Sequence, residues 1–540
     1  YYIKAGEFSR AKLRYNEALI LFQKALSIAE LSFQPQHPET AVILEKLAEV
    51  YRELSELEKS KLLLERALKI NEGAFGNHHS VVATTVGELA VIYYYLGSYE
   101  RAEEFYLRSF KIFSDTFGST HLESIAVQVD LAVLYMRIGQ HDKAKPMIES
   151  GLKIREKELG RNHLDVAHCL YSLAFFHLVK GKYAEAKPLF ERALSIREEA
   201  HGLMHPQVAT SLDALAELHY YMGQYDSSLQ LYNQSLKINE EILGSEHLGV
   251  AQSLNNLSVV YDTLGEYDKA IPMVKRSMKI RKEVLGSQHF LIAQSYTNLG
   301  SIYKQQGHYE KALMLDEKAL EIYRSCYGSD HPTVAEALNN LAKTYQNLEQ
   351  YEKAMPLLTN ALEIRENVLD PEHSDIAVSL NNLGINYYEL AQYEIAIPLL
   401  ERALDIYEKA LEPNHYLTAV SLGNLGKIYD KLGLYEKAQP LIERALEINE
   451  KVFGAKHSSI AASLSNLANV YRGQGQFDKA EPLYERAIGI ISEATPWHPD
   501  TAKCLDDYAK MLEDAGRTKE ALVQRDRAKA IRDRNKQDMQ

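Results

Sequence analysis

The chain is predicted to be all-α, a solenoid of antiparallel helix pairs, on three observations. Histidines recur at 37, 79, 121, 163, 205, 247, 289, 331, 373, 415 and 457, every step 42 residues, and His498 follows after 41. With this His as column zero, column +33 is isoleucine in all twelve units: Ile70, Ile112, Ile154, Ile196, Ile238, Ile280, Ile322, Ile364, Ile406, Ile448, Ile490 and Ile531. Each period also holds two apolar stripes at helical spacing. A fixed period of this length marks a repeat array and replaces the three or four domains that 540 residues would otherwise suggest.

The unit opened by His331 shows the elements in order. The first stripe runs through Val334, Ala335, Leu338, Leu341, Ala342, Tyr345 and Leu348. A break follows at Glu349-Gln350, where nine of the twelve units hold Gly, as at Gly307 and Gly433. The second stripe runs through Tyr351, Ala354, Leu357, Leu358, Ala361, Leu362, Ile364, Val368 and Leu369. Each stripe predicts a helix of roughly 16–18 residues, and neither can be buried within one pair, so neighbouring pairs must stack. Gly328 stands where a helix C-terminus needs a left-handed residue. Pro332 stands in the first turn of the next helix. A proline at column +25 (Pro146, Pro188, Pro272, Pro356, Pro398, Pro440, Pro482) is placed about one turn inside the second helix, where a missing N–H costs little.

The predicted organisation is a partial N-terminal repeat over 1–36, eleven repeats over 37–497, and a capping repeat over 498–540. Tyr2, Gly6, Phe8 and Ala11 read as columns +14, +18, +20 and +23, whereas Ala18, Ala25 and Ile28 occupy later columns. That reading lengthens the first second-helix by seven residues. Residues 521–540 are dense in Lys, Arg and Asp, the polar outer face a terminal repeat needs. The chain opens at Tyr1-Tyr2, in what reads as mid-helix, so it is read as a fragment or an excised domain.

Composition excludes several classes. With 46% hydrophobic and 25% charged residues the chain is ordinary for a folded protein. No apolar run reaches the length of a membrane span, so no membrane insertion is expected. A net charge of −13 argues against a nucleic-acid partner. Cys169, Cys326 and Cys504 are far apart and form no CxxC pair, so neither a disulfide framework nor a zinc site is expected, and a cytoplasmic, reducing location fits.

No chemistry stands out. The histidine column supplies one side chain per unit at separate linkers, whereas zinc needs three or four converging ligands. Each His is therefore read as capping or packing at the start of a first helix. Nine tyrosines occupy column +14 and eight column +20, as core or inter-helix residues, and Trp497 is read as packing. There is no phosphate loop, nucleophile elbow or HExxH motif. The expectation is a non-enzyme with no metal and no cofactor.

Leu341-Ala342, Tyr345, the glycine turn, Tyr351, Ala354 and Ala361 resemble the tetratricopeptide repeat. The 42-residue length and the Gly-x-x-His-Pro linker resemble its kinesin light chain and nephrocystin-type subtype, and the resemblance covers nearly the whole chain. Kinesin light chains carry fewer repeats behind a heptad coiled coil, and no heptad segment occurs here. The resemblance implies a right-handed superhelix whose first helices line a concave, protein-binding groove.

Column +9 is the informative one. It reads Lys46, Glu88, Asp130, Ser172 and Ala214, then Asn256, Asn298, Asn340, Asn382, Asn424 and Asn466, and ends at Asp507. Column +8 over the six Asn units wanders: Asn255, Thr297, Asn339, Asn381, Gly423, Ser465. Asn costs a helix interior roughly 0.6 kcal/mol against Ala, so holding it six times suggests a use. The resemblance places the matching Asn in the cargo groove, where its amide could bond the backbone of an extended peptide. The alternative is a bridge between adjacent first helices. Arg281 and Arg365 in column +34, with Lys343 and Lys427 in column +12, would be cationic companions favouring acidic, extended motifs. Tyr94, Phe175, Phe176 and Tyr220 in the earlier units are either a second partner surface or core. The expected function is a scaffold or adaptor for protein partners. The alternatives are a kinesin light chain-like motor–cargo adaptor and the regulatory array of a larger multidomain signalling protein.

Column +33 should be buried between helices. Ile364→Ala should cost about 2–5 kcal/mol, and in a quasi-one-dimensional array the loss should stay local. Hydrogen exchange should rise around residues 331–415 more than at the ends, not uniformly across all units.

Overall fold

A computed structural model describes residues 1–12, 14–33, 36–455, 457–494 and 499–537. Trp497 and His498 lie outside the described residues. Among those described there are 26 α-helices and no strand. The unit at His331 is typical: a first helix Pro332–Asn347, a tight turn, and a second helix Tyr351–Val368 packed antiparallel to it. Eleven of the twelve column +33 isoleucines are buried, Ile364 among them at 4% exposure, and Ile154 is half-buried.

Three devices repeat along the chain. Every column-zero histidine from His37 to His457 caps its first helix, its Nδ1 accepting from the N–H two residues on at 3.0–3.3 Å. Column +22 lysines sit over column +14 tyrosine rings, from Lys59 on Tyr51 to Lys479 on Tyr471, at 4.8–5.6 Å. Arginines of one second helix pair with glutamates of the preceding one, as Arg108 with Glu72 and Arg444 with Glu408, both at 2.6 Å. Those pairs are partly exposed, so each contributes about 0–1 kcal/mol and mainly fixes register.

Two expectations are corrected. Tyr2–Ala11 is a helix of its own, followed by Tyr15–Ser32. Tyr15 and Ala18 therefore hold columns +20 and +23 with no inserted residues. Gly6 faces the Phe22 ring as Gly384 faces Leu400 and Gly426 faces Ile442, all column +11 against +27. The column +25 prolines lie deeper than the first turn: Pro146 is the sixth residue of His141–Leu159. The carbonyl of Asp142 loses its helical donor, but this face is exposed to water.

Consecutive first helices approach one another closely, as Leu248–Thr263 and Phe290–Gln305 do, and consecutive second helices do not come as near. First helices therefore line the inside of the curve. The curve closes on itself. His289 Nε2 meets the Glu53 carbonyl at 3.0 Å, Asp370 N–H donates to the Ile138 carbonyl at 2.9 Å, and Lys180 Nζ donates to the Ala410 carbonyl at 2.5 Å. Lys182 pairs with Glu412 at 3.0 Å, and the Tyr225 hydroxyl meets His457 Nε2 at 2.8 Å. These partners are 230–236 residues apart, about five and a half repeats, so each superhelical turn seats on the one before and encloses a lumen.

The column +18 residue is left-handed whatever its identity: Gly181 has φ 74°, Gly433 71°, and even Glu349 and Ala391 have 58° and 57°. A Cβ on Gly181 would lie 2.7 Å from His415 Cδ2 of the next turn, whereas one on Gly433 would meet nothing. Both Gly→Ala changes should cost about 1 kcal/mol for the left-handed backbone. Gly181→Ala should cost visibly more in thermal unfolding, because it alone also pushes the turns apart.

Candidate functional site: the lumen stripe

The surface facing the lumen follows from helical geometry. In the unit at His331, Glu336, Asn340, Lys343 and Asn347 fall at columns +5, +9, +12 and +16, one stripe along one helix face. Glu336, Lys343 and Asn347 are exposed and Asn340 is half-buried, while the residues between them are mostly buried. All six column +9 asparagines (Asn256, Asn298, Asn340, Asn382, Asn424, Asn466) are half-buried on this stripe.

The amides at column +8 behave differently. Asn255, Asn339 and Asn381 are 3–5% exposed. Asn339 Nδ2 donates to Ser379 Oγ at 3.1 Å, and Asn381 Nδ2 to Ser421 Oγ at 2.6 Å, each reaching the first helix of the next unit. The bridging role thus falls mainly to column +8. At column +9, Asn256 accepts from Gln252 at 2.8 Å and Asn424 reaches Asn381 at 3.5 Å. The side chains of Asn298, Asn340, Asn382 and Asn466 make no hydrogen bond among the described residues.

The four expected cations divide. Arg281 is 1% exposed and donates to the Leu291 carbonyl, Ser295 Oγ and Gln252 Oε1 at 2.8–3.0 Å. Arg365 is 4% exposed and donates to the Asp375 carbonyl at 2.8 Å and Ser379 Oγ at 2.9 Å. Neither is a groove cation: each locks its second helix to the next unit's first helix, and Asn239 and Asn449 in the same column do the same through Ser253 and Ser463. Burial lowers the Arg281 guanidinium to about 10, so it stays charged. Lys343 and Lys427 do face the lumen. The ammonium of Lys343 reaches solvent, but that solvent is ringed by protein, and desolvation followed by Lys304 lowers its pKa. For Lys427 the causes are desolvation and then Lys503.

Sequence reasoning missed a cavity on the lumen. A cavity of about 810 Å³ lies between units of successive turns, with Thr263 and Gln305 on one wall and Asn424, Lys427, Asn466 and Lys503 on the other. Asn469, Arg472 and Lys510 also line it. Columns +12 and +16 carried the signal, since they continue the +5 and +9 stripe. Of the aromatic residues singled out in earlier units, Phe176 is buried and Phe175 is 38% exposed. Among the described residues no group of three or more His, Cys, Asp or Glu side chains could hold a metal ion. No helix of the described residues is long and apolar enough to cross a membrane.

Enclosure also reaches the carboxylates of the first helices. Asp213, in column +8, is pushed up to about 7, first by desolvation, then down by a Ser235 hydrogen bond and up by Glu217. Its folded-state pKa lies above the unfolded value, so the folded state binds the extra proton and loses stability as pH rises between about 4 and about 7. Asp213→Asn should therefore raise the melting temperature most above pH 7, less at pH 5, and not at all below pH 4.

The tetratricopeptide repeat model matches residues 2–73, 81–157, 165–241, 214–283, 264–325, 291–367, 333–409, 375–451, 418–493 and 459–534. Among solved structures the chain is similar to a candidate kinesin light chain of Podosopora anserina with nearly identical TPR-like repeats. Identity there is 28% over 38% of this chain and 98% of that one, with a TM-score of 0.32. It is also similar to BtubC (BKLC) from P. vanneervenii, at 22% identity over 43% of this chain and 91% of that one, with a TM-score of 0.35. No curated protein matches. With the family model matching almost end to end, on helix pairs stacked at a 42-residue period, the chain belongs to the tetratricopeptide repeat family, whose arrays serve as protein-interaction scaffolds.

Proposed function

We propose that the chain is a non-catalytic scaffold or adaptor that binds an extended peptide segment of a partner protein inside its superhelix. The observation that carries this reading is the division of labour between adjacent columns. Buried amides at column +8 bond the repeats together. Column +9 keeps four of its six amides unbonded on the lumen stripe, at a standing cost in helix propensity. An amide offers two donors and an acceptor, so successive asparagines can grip successive peptide groups without reading side chains. Lys343 and Lys427 on the same stripe favour an acidic segment, and around the cavity Lys427, Lys431, Arg472, Lys503 and Lys510 stand against Asp262, Asp430, Asp500 and Asp507, a slight cationic excess. A cytoplasmic location accords with three free cysteines, two of them buried.

Each hydrogen bond is worth about 0.5–1.5 kcal/mol net, so affinity would be spread over several asparagines. Asn298→Ala, Asn340→Ala and Asn382→Ala together should weaken peptides selected on the wild-type chain by roughly 10- to 1,000-fold. Circular dichroism and melting temperature should be unchanged or slightly improved, since Ala is the better helix former. Unchanged peptide affinity in the folded triple variant would place binding elsewhere.

A further inference from the structure

We propose that the seam between superhelical turns is a pH-operated latch. His289, His331, His415 and His457 hold consecutive turns together only as neutral imidazoles, and protonating them parts the turns without unfolding the repeats. The inference concerns access to the lumen and holds whatever the lumen binds.

The geometry assigns the protonation state. From His37 to His457 Nδ1 is the acceptor for the cap N–H, so in the neutral ring the hydrogen sits on Nε2. From His289 onward there is a preceding turn for Nε2 to meet. His289 donates to the Glu53 carbonyl at 3.0 Å, His331 to the Tyr95 backbone, and His457 to the Tyr225 hydroxyl at 2.8 Å. The His415 ring lies against Gly181. A second proton has no place to go except Nδ1, where it would face a backbone N–H. It would break the cap and leave a charge in the seam.

The same column supplies its own control. His37, His79, His121 and His163 cap their helices identically but have no turn beneath them, and all four are exposed. His289, His331 and His415 are 3–9% exposed. Nε2–H survives protonation, and its bonds to the Glu53 and Tyr95 backbone favour the charged ring, but burial outweighs them and the other residues near the seam offer little to stabilise an imidazolium. Arg281 lies near His289, and Arg137 with the stacked Tyr327 ring lies against His331. Around the His415 cap are the Lys180, Lys182 and Glu412 cross-links and the Tyr416 ring, and beside His457 are Tyr225 and Phe453. His373, beside Asp370, Asp375, Arg137, Arg365 and His141, has carboxylates to balance a charge and is left out of the latch. Burial lowers His289, His331 and His415 to about 4. A histidine lowered in the closed state favours closure above its free value near 6.5, and that preference is lost as pH falls below it.

The test is small-angle scattering with circular dichroism on the full chain, from about pH 7.5 to about pH 5, across the histidine range. The wild type should expand on acidification with its helicity intact. Replacing His289, His331, His415 and His457 together by Asn, a good cap too short to cross the seam, should give the expanded form already at neutral pH and abolish the pH response. The same substitution at His37, His79, His121 and His163 should leave both the dimensions and the response of the wild type. No wild-type expansion, expansion only with loss of helix, or equal effects of the two quadruple variants would overturn the latch.

Discussion

Everything in this molecule follows from one constraint: a 42-residue helix pair has more apolar face than it can bury by itself. Ala342 of the first helix and Ala354 and Leu358 of the second pack with Leu383 of the following unit. Ile364 joins Leu338 within its unit and Ile322 and Tyr323 of the unit before. Each core is therefore shared between neighbours, and no unit is complete until its successor is in place. Small residues let the helices approach closely, and the difference in spacing between the inner and outer helices bends the stack.

Burying those faces also buries polar groups, which must be bonded or they cost more than they contribute. Column +34 is the main answer. Asn71, Asn239, Arg281, Arg365 and Asn449 all reach a hydroxyl at column +6 of the next unit, at 2.9–3.1 Å. Arg and Asn at these five positions therefore do one job with two side chains, the longer one also reaching a backbone carbonyl at 2.8 Å. Arg281 fills its site fully, whereas Nε of Arg365 is buried without a partner.

The period, the helix pairs, the capping histidines and the buried isoleucines were legible because each repeats and each is a local consequence of spacing. Tyr2–Ala11 was misread because four residues fitted two registers, which the helix break before Tyr15 and the contact between Gly6 and Phe22 separate. Arg281 and Arg365 were misassigned because sequence shows that a cation is present but not which way it points. Columns +8 and +9 are neighbours in sequence yet lie about 100° apart around the helix. That separation sends Asn339 into the joint and Asn340 toward the lumen.

Closure of the superhelix is the property least visible in any single unit, yet it leaves a trace across units. Column +18 always needs a left-handed backbone, and Ser55, Glu349 and Ala391 show that other residues can supply one. Room is a separate demand. Gly97, Gly139 and Gly181 have a histidine ring of the next turn where a Cβ would stand, at 2.6–2.9 Å, whereas Glu349 and Ala391 stand four to seven units later in the chain. Ser55 is an exception on the seam, left-handed at φ 60° beside the Glu53 carbonyl that His289 meets. At Gly97, Gly139 and Gly181 glycine thus meets two demands, conformation and room, whereas Gly433, Gly475 and Gly516 meet only the first. A long-range contact of about five and a half repeats is in this way recorded in a column that, read within one unit, says nothing more than helix stop.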